Sequence, residues 1–376
     1  MARKAVSTAP EIPPILLLGI NAPYNKIKNI DGYFEEFISL ARTNDLPTDH
    51  TMLIKLRDID HAYFITKGKL AEIKEYCDKN NVEEVIISEP LTAVQERNLS
   101  NLLNCRVFDR TQLILEIFEK AAQSAEGKKQ VAIAMLQHKK SRLAGKGIHL
   151  AQQRGIRGLR SGSGETLKEQ EVRHIAEHIL KLKKQLKQIE KSRETQRKRR
   201  LLANVPLISL IGYTNAGKST LLNTLTKSNV LAEDKLFATL DTTTRELYLE
   251  SKKFGIISDT VGFIQLLPHQ LVEAFKSTLS ELKYSDLLLV VVDSSDPNWQ
   301  EHIEVVHQIL NELEIDKPIL YVFNKIDKIE DLESFKTTID QFQPHVLVST
   351  KTPNSLDTLK NALLEWKSKK TTTNNQ

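Results

Sequence analysis

Cysteine is nearly absent from this 376-residue chain, which carries only Cys77 and Cys105. Two thiols are neither numerous enough nor suitably spaced for a disulfide framework or a metal site. Long apolar runs are missing as well. The stretch Leu287–Val292 stops at six residues, against the ~20 that a membrane helix needs. No signal-peptide core occupies the first 13 residues. The ten histidines fall in no ligand pattern, so His269 and His302 are expected at the surface. Together these absences predict a protein of the reducing cytoplasm without a membrane span. A chain of this length has room for two to three domains with separate cores.

The net charge of +5 hides a strong asymmetry. Between Lys128 and Arg200 there are 21 Lys or Arg against 6 Asp or Glu, a local +15 that leaves about −10 for the rest. Such a division points to a polyanionic partner. Within the basic stretch, residues 145–164 hold six glycines together with Lys146, Arg154, Arg157 and Arg160, which become the candidate RNA contacts. A segment of that composition cannot bury a core and is expected to order on a ligand, or else to be a plain linker. Beyond it, Val172, Ile175, Ile179, Leu182, Leu186 and Ile189 repeat at alternating spacings of three and four. That seam predicts a helix paired with the preceding segment of about residues 111–142, an antiparallel hairpin with the Gly/Arg loop at its tip.

Chemistry concentrates further along. The segment Gly212-Tyr213-Thr214-Asn215-Ala216-Gly217-Lys218-Ser219 fits G-x-x-x-x-G-K-S and is followed by Thr220. In such a loop the backbone N–H groups cradle phosphate oxygens, the lysine reaches the β and γ phosphates, and the serine hydroxyl ligates Mg²⁺. The apolar run Leu207–Ile211 before it predicts a buried strand, and residues 219–225 after it predict a helix whose N-terminus favours the anion. Downstream, Asp259-Thr260-Val261-Gly262 supplies a carboxylate for the Mg²⁺ shell and a glycine N–H for the γ-phosphate. Asn324-Lys325-Ile326-Asp327 selects the base. Guanine presents two adjacent donors to one carboxylate at Asp327, whereas adenine would leave that carboxylate unpaired. Ser349-Thr350-Lys351 is similar to the S-A-K loop that closes over guanine. Four motifs in this order, each behind a predicted strand, imply a GTP-hydrolysing switch that binds GTP or GDP with Mg²⁺.

A second switch must lie between the phosphate loop and Asp259, and residues 237–245 carry its threonines. The residues alone leave the choice among them open. Phe263 stands after Gly262, where Ras-like enzymes carry the glutamine that orients the attacking water. Backbone or a second partner must therefore order that water, and slow basal hydrolysis that rises on docking is expected. The first 110 residues read as a separate α/β unit, with strands at 15–20, 52–54, 62–65 and 82–88 and a helix at 31–42. No catalytic constellation appears there.

Specific segments resemble the HflX family within the Obg-HflX group of GTPases, and the likeness runs from about residue 14 to 368. They include Lys67-Gly68-Lys69-Leu70, Gln95-Glu96-Arg97-Asn98-Leu99, Val107-Phe108-Asp109-Arg110-Thr111 and Gly162-Ser163-Gly164-Glu165-Thr166 besides the nucleotide motifs. Similarity to the F-T-T-L segment of Obg-like GTPases favours Thr239 as the switch threonine and third Mg²⁺ ligand beside Ser219 and Asp259, with Thr243 the alternative. Asn215 is similar to the loop asparagine that binds K⁺ in some GTPases, which makes K⁺ a further candidate cofactor. Lys218, Thr239 and Gly262 would then carry catalysis.

This resemblance implies a ribosome-associated GTPase that binds the large subunit near its peptidyl transferase centre and dissociates stalled or idle ribosomes. Residues 167–173 depart from the family's usual run, and Thr242 stands where proline is common. The competing reading is a GTP-regulated RNA-binding or ribosome-assembly module in which hydrolysis is incidental.

The expected fold class is α/β: a P-loop GTPase domain with a mostly parallel sheet and flanking helices, preceded by a smaller α/β domain and an antiparallel helical hairpin. The expected boundaries are a flexible 1–13, the α/β domain 14–110, the basic hairpin 111–200, the GTPase domain 201–368 and a disordered tail 369–376. No further C-terminal domain and a monomeric state are expected.

Overall fold

The computed structural model describes residues 13–25, 27–145, 167–202, 205–226, 235–240, 242–266, 268, 271, 275, 279–352 and 354–373. Two compact units divide the chain: residues 1–117 with 137–176, and residues 118–136 with 177–376.

The first unit is built on β1 (Ile15–Asn21), β2 (His50–Lys55), β3 (Glu84–Ile87) and β4 (Arg106–Asp109). They form a parallel sheet of order β2-β1-β3-β4. A central parallel strand is covered on both faces, and β1 accordingly is a nearly continuous apolar run, buried at six of its seven positions. At the edge, β2 alternates between covered and exposed residues instead. Helices α1 (Ile30–Thr43), α2 (Lys67–Asn80) and α3 (Ala93–Leu103) connect the strands. The Asn29 side chain accepts the Gly32 N–H at 3.0 Å, and Thr92 with Gln95 forms a complete capping box. Leu16, Leu18, Ile20, Ile73, Val85 and Leu99 are among the residues of the resulting core.

One expected strand is not there. Residues 62–65 form a turn closed by a single bridge between Asp60 and Phe64. The Asp60 carboxylate accepts the N–H groups of Ala62 and Tyr63 at 2.7 and 2.8 Å, so the backbone donors that a ladder would use are already engaged. The helix expected over 111–142 is also two helices, α4 (Arg110–Ala121) and α5 (Ala125–Gly145). Ser124 starts the second by accepting the Gly127 N–H at 2.8 Å. Helix α6 (Leu167–Leu202) follows. Along it the six seam residues are buried or half-buried, whereas Arg173, His174, Glu177, His178, Lys181, Lys183 and Lys184 are exposed. Lys139 Nζ lies 3.0 Å from Glu171 Oε1, joining the late part of α5 to the start of α6 as an antiparallel pair requires. The Gly/Arg segment with Lys146, Arg154, Arg157 and Arg160 lies outside the described residues.

The second unit carries β5 (Leu207–Gly212), α7 (Lys218–Thr226), β6 (Thr243–Leu249), β7 (Lys252–Asp259), β8 (Leu287–Asp293), α8 (Trp299–Glu312), β9 (Ile319–Asn324), α9 (Leu332–Ile339), β10 (His345–Leu347) and α10 (Asp357–Thr373). Its six strands run β10-β9-β8-β5-β7-β6, parallel except for β6 against β7. That antiparallel pair turns through Glu250 and Ser251, both left-handed, as a two-residue hairpin turn of right-handed strands demands. Leu210, Leu221, Ile257, Leu289 and Val322 belong to the core beneath. The sheet ends its parallel strands β5, β7, β8 and β9 in Gly212, Asp259, Asp293 and Asn324. Ligands of open α/β sheets bind outside the carboxyl ends of the strands.

Candidate functional site

Strand β5 and helix α7 hold the phosphate loop between them, and glycine is required at both of its ends. Gly212 has φ +149°, and a Cβ there would sit 2.2 Å from the Val291 carbonyl oxygen. Gly217 has φ +91°, and its Cβ would strike Asn324 Nδ2 at 2.4 Å. Between them Asn215 takes a left-handed conformation. Lys218 is buried and its ammonium donates to the carbonyl oxygens of Gly212 and Tyr213 at 3.2 and 2.7 Å. Burial lowers its pKa to about 8, with Asp259 acting in the opposite direction. The cleft above is open to solvent and is lined by Thr214, Asn215, Gly217, Lys218, Ser219, Thr220, Lys235, Phe237, Ala238, Thr239, Thr260 and Gly262.

Three oxygen-bearing side chains meet at one end of this cleft. Ser219 Oγ is 2.6 Å from Asp259 Oδ2 and 2.7 Å from Thr239 Oγ1. Asp259 is fully buried, and its second oxygen has no hydrogen-bond partner. Burial raises its pKa, while Lys218 and the Ser219 hydroxyl lower it. A buried carboxylate oxygen left over beside two hydroxyls is a set of hard donors that fits Mg²⁺. Thr243, the alternative switch threonine, instead opens β6 in register with Asp259.

The segment after Asp259 is bound to the phosphate loop. Thr260 Oγ1 donates to the Leu210 carbonyl at 2.7 Å, and Val261 is buried. Gly262 leaves no space for a side chain, since a Cβ would lie 2.8 Å from Thr214 Cγ2 and 3.0 Å from Lys218 Nζ. Phe263 is 1% exposed. Its N–H donates to Gly212 at 3.1 Å and its carbonyl accepts from Thr214 at 2.8 Å.

At the base end, Asn324 Nδ2 donates to the Ala216 carbonyl at 3.0 Å and so ties the two motifs together. Lys325 is left-handed, and its Nζ reaches the Asn215 carbonyl at 2.9 Å and Asp293 at 2.6 Å. Asp327 is exposed and accepts the Ser349 hydroxyl at 2.6 Å, a bond that lowers the carboxyl's pKa. The Lys351 N–H in turn donates to Ser349 Oγ at 3.2 Å, and half-buried Thr350 lies between the two. Two participants carried no motif signal. Lys235 lines the cleft from a segment without a recognisable pattern, and Asp293 is legible only as the acidic end of the apolar run of β8. His302 departs from the surface expectation: it is half-buried, stacked on Tyr213 at 3.7 Å. His269 lies outside the described residues.

Comparisons with known proteins agree with this geometry. Three family models match in succession: "GTP-binding GTPase N-terminal" over residues 31–119, "GTP-binding GTPase Middle Region" over 121–200 and "50S ribosome-binding GTPase" over 207–325. The GTPase HflX of Magnetococcus marinus is 46% identical over 299 residues, spanning 79% of this chain and 69% of the relative. The GTPase HflX of Escherichia coli K12 is 44% identical over 335 residues, 88% of this chain and 78% of the relative. Among solved structures, "SsGBP and GDP complex" superposes with TM-score 0.51 at 26% identity, covering 95% of this chain and 99% of that one. With phosphate-loop and switch residues lining one cleft, the base motif tied to that loop through Asn324, and relatives this similar along most of the chain, the protein belongs to the HflX family of GTPases.

Proposed function

We propose that this GTPase is a Mg²⁺-dependent switch that binds the large ribosomal subunit through its basic hairpin and promotes dissociation or rescue of stalled or idle ribosomes. The observation that carries the reading is the charge division: +15 between Lys128 and Arg200, against about −10 elsewhere, in a chain whose other half is a nucleotide site. A family description that names the 50S ribosome supports it. RNA phosphates are the polyanion such a stretch suits.

In the site, the phosphate-loop N–H groups and Lys218 bind and orient the phosphates, and Asp327 with the Ser349–Lys351 loop receives guanine. Ser219, Thr239 and Asp259 would hold Mg²⁺, Asp259 through water. The ion would neutralise charge that develops on the phosphates. The γ-phosphoryl group passes to water, giving GDP and phosphate. Buried Phe263 offers no side chain to that water, so backbone groups next to Gly262 order it, and docking on the subunit completes their arrangement. Asn215 is the residue we assign to K⁺; equal rates in K⁺ and Na⁺ would remove that assignment.

GTP turnover with and without large ribosomal subunits, at several salt concentrations, tests the whole reading. Slow intrinsic turnover, strong stimulation by subunits and loss of that stimulation with salt are expected. Turnover indifferent to subunits would refute the ribosomal assignment. Full subunit action with a non-hydrolysable analogue would make hydrolysis incidental. Neutralising Arg154, Arg157 and Arg160 together should weaken subunit binding and flatten its salt slope by up to about three, without changing GDP affinity. Unchanged subunit affinity would reduce that segment to a linker.

A further inference from the structure

Phosphate binding does not explain Tyr213. It occupies a position that the G-x-x-x-x-G-K-S pattern leaves open, because the loop contributes backbone there. The cleft is walled on this side by Thr214 and Asn215. The tyrosine ring lies against α8 instead, stacked on His302 with ring centroids 3.7 Å apart and planes within 9°. Its hydroxyl oxygen accepts the Gln265 backbone N–H at 2.8 Å. Gln265 is anchored a second time, its side-chain amide donating to Glu301 of α8 at 3.4 Å.

These bonds bracket the part of the chain that closes on the γ-phosphate. Gly262 lies against the Lys218 ammonium. On its far side Phe263 is joined to Gly212 and Thr214 by two backbone bonds, and two residues later the Tyr213 hydroxyl holds Gln265. Because Phe263 buries its side chain, that residue can order the attacking water only through backbone, whose position is set by what restrains the segment. We propose that Tyr213 is a positioning residue for GTP hydrolysis: its hydroxyl, oriented by the stack on His302, holds the backbone that follows Gly262 where it can order the attacking water. The inference rests on the reading that backbone orders this water.

The test compares wild type, Tyr213→Phe, His302→Ala and His302→Phe by affinity for a non-hydrolysable GTP analogue and by single-turnover hydrolysis with protein in excess over GTP and Mg²⁺ present. Tyr213→Phe keeps the ring and removes only the hydroxyl. Its hydrolysis rate should fall about tenfold while affinity for a non-hydrolysable GTP analogue stays within about twofold, the pattern of an interaction that matters in the transition state and not in the ground state. His302→Ala should lower the rate in the same direction by about threefold, and His302→Phe, which can still stack, should restore it. A wild-type rate in Tyr213→Phe overturns the proposal, as does a parallel loss of rate and analogue affinity, which would reveal a general collapse of the loop. Absence of hydrolysis in the wild-type protein would strike the functional reading itself and the inference with it.

Discussion

At the carboxyl ends of β3 and β4 the chain buries Ser88, Glu89, Asp109 and Arg110; at those of β7 and β9 it buries Asp259 and Asn324. Both groups sit where parallel sheets offer a ligand site, and their carboxylates differ in what is done with the polarity. Asp109 is consumed within the protein: it accepts Arg142 Nη2 at 2.6 Å and the N–H groups of Leu91 and Gln112 at 3.0 Å each. Glu89 likewise accepts the Tyr24 hydroxyl at 2.7 Å and Asn25 Nδ2 at 2.8 Å. In the GTPase unit Asp259 Oδ1, Asn324 Oδ1 and Thr214 Oγ1 are buried without partners, beside a lysine whose charge is penalised by burial. A buried polar group costs free energy unless it is bonded. The first arrangement therefore stabilises the fold, and the second keeps that stabilisation for a bound nucleotide.

The largest effect that distinguishes them should come from the first unit. Arg142→Ala removes the one guanidinium that bonds Asp109, Glu96 and the Leu91 carbonyl together and should cost about 3–5 kcal/mol of stability in denaturant unfolding, with GDP affinity unchanged. A loss under 1 kcal/mol would show that water replaces the guanidinium. Lys218→Ala should do the reverse, weakening GTP at least about 100-fold in a fluorescent-nucleotide titration while leaving unfolding nearly unaffected, because it removes a desolvated charge. Retained affinity would break the comparison. Asp327→Asn should lower the preference for guanine over other purines by about 100-fold in competition binding.

The smallest effect is a pH dependence. A phosphate beside Lys218 favours its charged form, so the pKa of about 8 in the free protein rises on binding. Affinity should be flat below pH 8 and fall above it by up to about tenfold per pH unit, with proton uptake visible by calorimetry in buffers of different ionisation enthalpy. An affinity that stays level to pH 9.5 would mean that Lys218 is fully charged before the nucleotide arrives.

What could be read beforehand divides along physical lines. The phosphate loop, D-x-x-G and N-K-x-D are short-range patterns in which backbone geometry and ligand chemistry dictate residue type at fixed spacing. The α6 seam was legible because burial on one face imposes a period. The strand expected at 62–65 was not formed, because the apolar pattern of Tyr63 to Ile65 did not reveal that Asp60 would take the turn's N–H groups. The expected long helix likewise breaks after Ala121, and the Ser124 hydroxyl caps the start of the second one.

By itself the sequence determined the nucleotide chemistry, the base selected and the uneven charge, since each depends on which residues are present in local order. Only the tertiary structure decided that Thr239 meets Ser219, that Lys325 pairs with Asp293, and that Tyr213 reaches Gln265. Those partners are separated by tens of residues in the chain, and packing of strands and helices, not spacing, brings them within hydrogen-bond distance.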